Sequence, residues 1–303
     1  MFSGLKNDVN IIEVGPRDGL QNESLSISVA DKLKYIELLA ESGLKTIEAT
    51  SFVRADKIPQ MADADEVYSN IISRYKNSKI SFPCLVPNLK GYELAKSVGV
   101  KEIALFSATS DAFTKANINC TIDESFVKMR EVVDQAKKDN VKIRAYISTA
   151  FGCPYSGEVT SKQLSSTIEK FLKFDIYEIS IGDTIGVATP RQVYNYIEDF
   201  KSVVDLSKIA MHFHDTKGMA LSNTLVSLEQ DIYSFDSSSG GLGGCPYAKG
   251  SAGNVATEDL IYLFESLGIN TGVDLNKVVE ASKFILNKVN KETSSKFLGT
   301  LLK

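Results

Sequence analysis

KIAMHFHDTKG (208–218) repeats, 32 residues further on, the plan of YEISIGDTIG (177–186): a short β-rich run followed by Asp-Thr-x-Gly. A unit of that length is one strand plus one helix, so the echo points to a serial strand–helix architecture. Runs of the same kind occur at NIIEV (10–14), KTIEATS (45–51), KISFPCLV (79–86), EIALFSA (102–108), KIRAYIST (142–149) and IYSFDSS (232–238). Several are nearly continuously apolar, as strands buried on both faces are. Eight such units predict a (β/α)8 barrel, the α/β TIM-barrel class. An open doubly wound sheet is disfavoured because no G-x-G-x-x-G follows the first run. SVADKLKYIELLAESG (28–43) reads as an amphipathic helix with Ser28 as N-cap and Gly43 past its end. T-I-D-E (121–124), T-S-K-Q (160–163) and T-P-R-Q (189–192) read as capping boxes. An additional helix is expected at about 275–292, packed on the barrel exterior or on a partner. No linker breaks the chain, so residues 1–303 are read as one catalytic domain.

With 43% hydrophobic and 24% charged residues, the 303-residue chain has an ordinary globular composition. A net charge of −4 argues against nucleic acid as the main partner. No apolar run approaches the ~20 residues of a membrane span, and the N-terminus does not read as a signal or transit peptide. The four cysteines show no C-x-x-C spacing and are read as reduced thiols. A cytoplasmic location is therefore expected.

Both histidines of the chain lie in the quoted stretch as His212-x-His214. On a strand, residues i and i+2 share a face, so the two imidazoles project together and begin a divalent-metal site. In a barrel, chemistry collects at the C-terminal ends of the strands. The first strand ends in EVGPRDGLQNE (13–23), where Asp18, between the Gly15-Pro16 stop and Gly19, is the chosen third ligand. Asn254, after the eighth strand, adds an amide oxygen. That mixed N/O set suits Mn2+, Fe2+, Zn2+ or Mg2+. Asp18 has the alternative of pairing with Arg17. Glu48, a carboxylate in an apolar strand, needs a partner, and Arg17 is the natural one. Asp183 and Asp215 can serve as helix N-caps, and for Asp215 that is the preferred reading. Cys245 sits in GLGGCPYAKGSAGN (241–254), with five glycines in 14 residues. On a mobile loop beside a metal site its thiol can be a proton donor or a nucleophile.

These stretches, with IEATSFV (47–53), PQMAD (59–63), ISIGDTIGVATP (179–190), HFHDTKGMAL (212–221) and FDSSSGGLGGCPYAKGSAGNVATEDL (235–260), resemble the 3-hydroxy-3-methylglutaryl-CoA lyases in order and over nearly the whole chain. Related condensing synthases read R-D-G-E-Q after the first strand; R-D-G-L-Q-N-E favours the lyase. The resemblance implies retro-Claisen cleavage of HMG-CoA to acetyl-CoA and acetoacetate, a step of leucine breakdown and ketone-body formation. It implies Mg2+ or Mn2+ on Asp18, His212, His214 and Asn254. It further implies an enolate-stabilising Arg17, a base at Asp18 or His212, a proton donor at Cys245, and Glu48 holding Arg17 or tuning the metal shell. Glu258 and Asp259 are implied as supports. Substrate contacts are expected at Arg17, Gln21 and Thr184, and a homodimer is expected. Lys217 and Ser239 depart from the family's usual tyrosine and alanine. The alternatives are a lyase for a longer 3-hydroxy-3-alkylglutaryl-CoA and a condensing acyl-CoA synthase.

Overall fold

A computed structural model describes residues 4–244 and 253–302. The strands, in chain order, are β1 (Asn10–Glu13), β2 (Thr46–Ile47), β3 (Thr50–Ser51), β4 (Cys84–Leu85), β5 (Glu102–Ala108), β6 (Lys142–Ser148), β7 (Glu178–Asp183), β8 (Ile209–Phe213) and β9 (Ser234–Ser237). All pair in parallel, in the order β2-β1-β9-β8-β7-β6-β5-β4-β3. The two ends of that order belong to one length of chain. The Glu48 N–H donates to Glu13 O (2.8 Å) on the β1 side, and the Ala49 N–H to Pro83 O (3.0 Å) on the β4 side. The sheet therefore closes, and the expected second strand, 45–51, is β2 and β3 together. The expected third strand, 79–86, shortens to β4 because Pro83 has no N–H to give the ladder.

The helices on the outside are α1 (Val29–Glu41), α2 (Ala64–Tyr75), α3 (Leu89–Ser97), α4 (Asp111–Ile118), α5 (Ile122–Lys138), α6 (Ser161–Leu172), α7 (Pro190–Phe200), α8 (Ala220–Glu229), α9 (Thr257–Ser266), α10 (Leu275–Val289) and α11 (Lys296–Leu301). Thr121 and Thr160 start α5 and α6 with complete capping boxes. At α7 only half of the box forms: Thr189 accepts from the Gln192 N–H, but the Gln192 side chain donates to Phe151 O (2.9 Å). The expected helix at 275–292 is α10. It ends at Asn290, in the left-handed conformation, and packs on α1, with Lys288 2.7 Å from Asp31. The six-residue α11 carries too little periodicity to be seen in sequence.

Strand alternation divides the residues by chemistry. Ile143, Ala145 and Ile147 of β6, Ile179 and Ile181 of β7, Met211 and Phe213 of β8, and Phe235 of β9 join the main apolar core. Each large side chain buried there contributes roughly 1.5–3 kcal/mol. The intervening positions, Arg144, Tyr146, Glu178, Ser180, His212, Ser234 and Asp236, are also buried, and the parallel register sets Arg144 opposite Glu178 and His212 opposite Asp236. The inner face on this side of the barrel is thus polar rather than layered with aliphatic residues. Such a face is stable only when every charge is paired.

Candidate metal and acyl-group site

The first strand ends in a wide turn, Gly15–Gly19, closed by N–H bonds from Asp18 (2.7 Å) and Gly19 (3.2 Å) to Val14 O. A side chain at Gly15 would press on the Tyr35 hydroxyl and the Glu13 carboxylate, so the turn can pack only as glycine. The turn aims two consecutive charged residues at the barrel mouth. Arg17 is 6% exposed; its Nε and a terminal nitrogen each lie 2.7 Å from Glu48 Oε2, and its other terminal nitrogen lies 2.6 Å from Asp18 Oδ1. Of the two expected roles of Glu48, holding Arg17 is the one with a contact behind it. The Tyr146 hydroxyl donates to the same Glu48 oxygen at 3.0 Å, and the Tyr146 ring lies beside the Arg17 guanidinium.

Asp18, His212 and His214 come together, their potential ligand atoms all within 4.8 Å of one another. The His212 and His214 rings are 5.4 Å apart, centroid to centroid, as their i, i+2 spacing requires. Asp18 Oδ2 lies 4.0 Å from His212 Nε2 and accepts a 2.9 Å hydrogen bond from Asn254 Nδ2. Asn254 is brought there by a backbone bridge to His214. Its Nδ2 also donates to Leu242 O (3.0 Å), while its buried Oδ1 has no hydrogen-bond partner among the described residues. A buried amide oxygen left open beside a carboxylate and two imidazoles is a donor set that fits a divalent cation. Burial works to raise the Asp18 pKa, but Arg17, the two imidazoles and the Asn254 bond outweigh it and hold it at about 2.

Thr184 Oγ1 accepts from the Thr149 N–H (2.7 Å). Thr149 itself is a β-branched residue at φ 57, a strained conformation at the mouth of the barrel that the sequence does not announce. Gln21 brings a buried Oε1 with no partner among the described residues. Asp215 accepts from the Ala220 N–H at the first residue of α8 but is not its N-cap, the expected role; that position is Met219. Asp183 caps a turn instead of a helix, accepting from Val187 and Ala188 N–H at 3.0 Å each; burial lifts its pKa to about 6. Glu258 accepts from the Gly240 N–H, and Asp259 takes Ser295 Oγ and two N–H groups at the start of α11. The Ser239 hydroxyl is hydrogen-bonded with the Tyr35 hydroxyl. Cys84, Cys120 and Cys153 are buried free thiols. Cys245 lies outside the described residues.

A model of the HMGL-like family matches residues 8–285. The chain belongs to the HMGL-like family. It is 48% identical over 292 residues to the mitochondrial hydroxymethylglutaryl-CoA lyase of Homo sapiens, covering 96% of this chain and 89% of that one. It is 47% identical over 295 residues to the cytoplasmic 3-hydroxy-3-methylglutaryl-CoA lyase of Homo sapiens, covering 97% and 79%. The hydroxymethylglutaryl-CoA lyase of Pseudomonas aeruginosa superposes with a TM-score of 0.95 at 44% identity, over 99% of both chains. An HMG-CoA lyase of Acinetobacter baumannii, solved with coenzyme A and 3-methylmalate, superposes with a TM-score of 0.91 at 34% identity, over 97% of this chain and 95% of that one. This HMGL-like chain is an α/β TIM barrel. Two inner-face residues at its site, Tyr146 and Asp236, carried no role in the sequence reading. Their signal is polar residues at alternate positions of otherwise apolar strands. No helix among the described residues is long and apolar enough to cross a membrane.

Proposed function

We propose that this chain is an enzyme that cleaves 3-hydroxy-3-methylglutaryl-CoA to acetyl-CoA and acetoacetate, a step of leucine breakdown and ketone-body formation. The observation that carries the reading is the Arg17–Asp18 pair set against His212 and His214 at the barrel mouth, in a chain whose relatives are lyases of that name. Asp18, His212, His214 and the open Asn254 Oδ1 would hold the cation, Mg2+ or Mn2+. When bound, it supplies Lewis acidity at the substrate's tertiary hydroxyl and a neighbouring oxygen.

The chain's own residues carry the proton and the charge. Asp18 takes the hydroxyl proton; His212, with Nδ1 on Asp236 and Nε2 toward the cation, has no lone pair left for it. The electron pair left on oxygen forms the ketone of acetoacetate as the C–C bond breaks, and the bonding pair leaves as the enolate of acetyl-CoA. Arg17, locked by Glu48, places its guanidinium where the enolate oxygen develops charge. Glu48 is a positioning residue. The Cys245 thiol gives its proton to the enolate carbon, completing acetyl-CoA. Gln21 and Thr184 line the acyl group. The enzyme works as a single catalytic domain, in the cytoplasm, as a homodimer. The test is acetoacetate release from HMG-CoA by the purified protein. Acetyl-CoA consumption with a 2-oxo acid, without HMG-CoA cleavage, would replace the lyase with a condensing synthase.

A further inference from the structure

Beneath His212 lies a charged pair that the reaction scheme does not use. Asp236 Oδ2 is 3.0 Å from His212 Nδ1. Arg144 grips Asp236 with both terminal nitrogens, at 2.7 Å and 3.2 Å, and Ser180 donates to it at 2.7 Å. The remaining Arg144 Nε binds Glu178 at 2.6 Å, so the group, with His212, spans the four consecutive strands β6 to β9. Arg144 is 1% exposed and Asp236 is 1% exposed.

We propose that Asp236, anchored by Arg144, is the positioning residue that sets the tautomer and ring orientation of His212. A carboxylate held by an arginine fork can only accept. His212 must then carry its proton on Nδ1, which turns the Nε2 lone pair toward Asp18 and the cation position. The 4.0 Å separation of Nε2 from Asp18 Oδ2 agrees, because an Nε2–H would be drawn into a hydrogen bond with that oxygen. This inference rests on the metal-site reading above, but it is tested without substrate, so either can fail alone.

The chain has two histidines, which makes the measurement clean. In metal-free protein labelled with 15N at histidine, with His214→Ala used for assignment, His212 should show a protonated Nδ1 and an unprotonated Nε2. In Asp236→Asn, Arg144 claims the amide oxygen and the NH2 group faces Nδ1. The proton should move to Nε2, and Mn2+ affinity, read by electron paramagnetic resonance, should fall by about 10–100-fold. A merely structural Asp236 would not invert the tautomer. An Nε2–H tautomer in the unaltered chain overturns the proposal whether or not the variant folds. Unchanged Mn2+ affinity in a folded Asp236→Asn protein overturns it as well.

Discussion

Asp18 Oδ2 lies 4.0 Å from His212 Nε2, too far for a hydrogen bond, while the other oxygen of Asp18 is fixed by Arg17 at 2.6 Å. One carboxylate thus joins the two halves of the proposed site: the guanidinium assigned to developing charge and the imidazoles assigned to a cation.

Replacing His212 and His214 together by alanine should remove both nitrogen donors of the set and cost more than about 100-fold in Mn2+ affinity. Titration of the chelator-treated variant, followed by electron paramagnetic resonance, reads this directly. Affinity equal to that of the unaltered chain would place the metal elsewhere.

Arg17→Lys keeps a positive charge but not a fork able to span Glu48 and Asp18. Turnover should fall by about 100–1,000-fold, the scale of a lost oxyanion donor, with little change in Mn2+ affinity. Steady-state kinetics beside the metal titration separate the two effects. A variant with normal kcat would take Arg17 out of the charge-stabilising role.

Cys245→Ser should bind Mn2+ normally and lose most of its turnover, because a serine hydroxyl is a far weaker acid than a thiol. Single-turnover measurements check it. An unchanged kcat would mean that another group protonates the enolate.

Burial lifts Glu13 from an ordinary 4.5 to about 8 and Glu258 to about 7. Both are protonated when folded at pH values where the unfolded chain has lost those protons. Their contribution is complete below about pH 4.5 and is lost as pH rises through 7 and 8. Tm should therefore decline between pH 5 and pH 8. Glu13→Gln should flatten the decline; an equally steep fall in that variant would assign the effect to other groups. Asp18, whose pKa is held low, acts in the opposite sense and outside this window, losing its contribution only as pH falls toward 2.

The barrel was legible because strand and helix signals alternate with a steady period, and His212, His214 and Asp18 because strand ends collect chemistry. Other features depend on tertiary pairing. Nothing local to KTIEATS says that its two halves divide their ladder bonds between different neighbours. Nothing local to KIRAYIST says that Arg144 reaches Asp236, 92 positions away. The partner of Glu48 could be named in advance because it is the nearest cation on a neighbouring strand end. The ring partner of His212 could not, because two candidate acids, Asp183 and Asp236, end the strands on either side of it.

The most direct test of the account is acetoacetate release from HMG-CoA by chelator-treated, reduced protein before and after Mg2+ or Mn2+ is returned. Cleavage that vanishes with the chelator and returns with the cation is predicted. Cleavage that is indifferent to the chelator, or a folded protein that cleaves with neither metal, would contradict it.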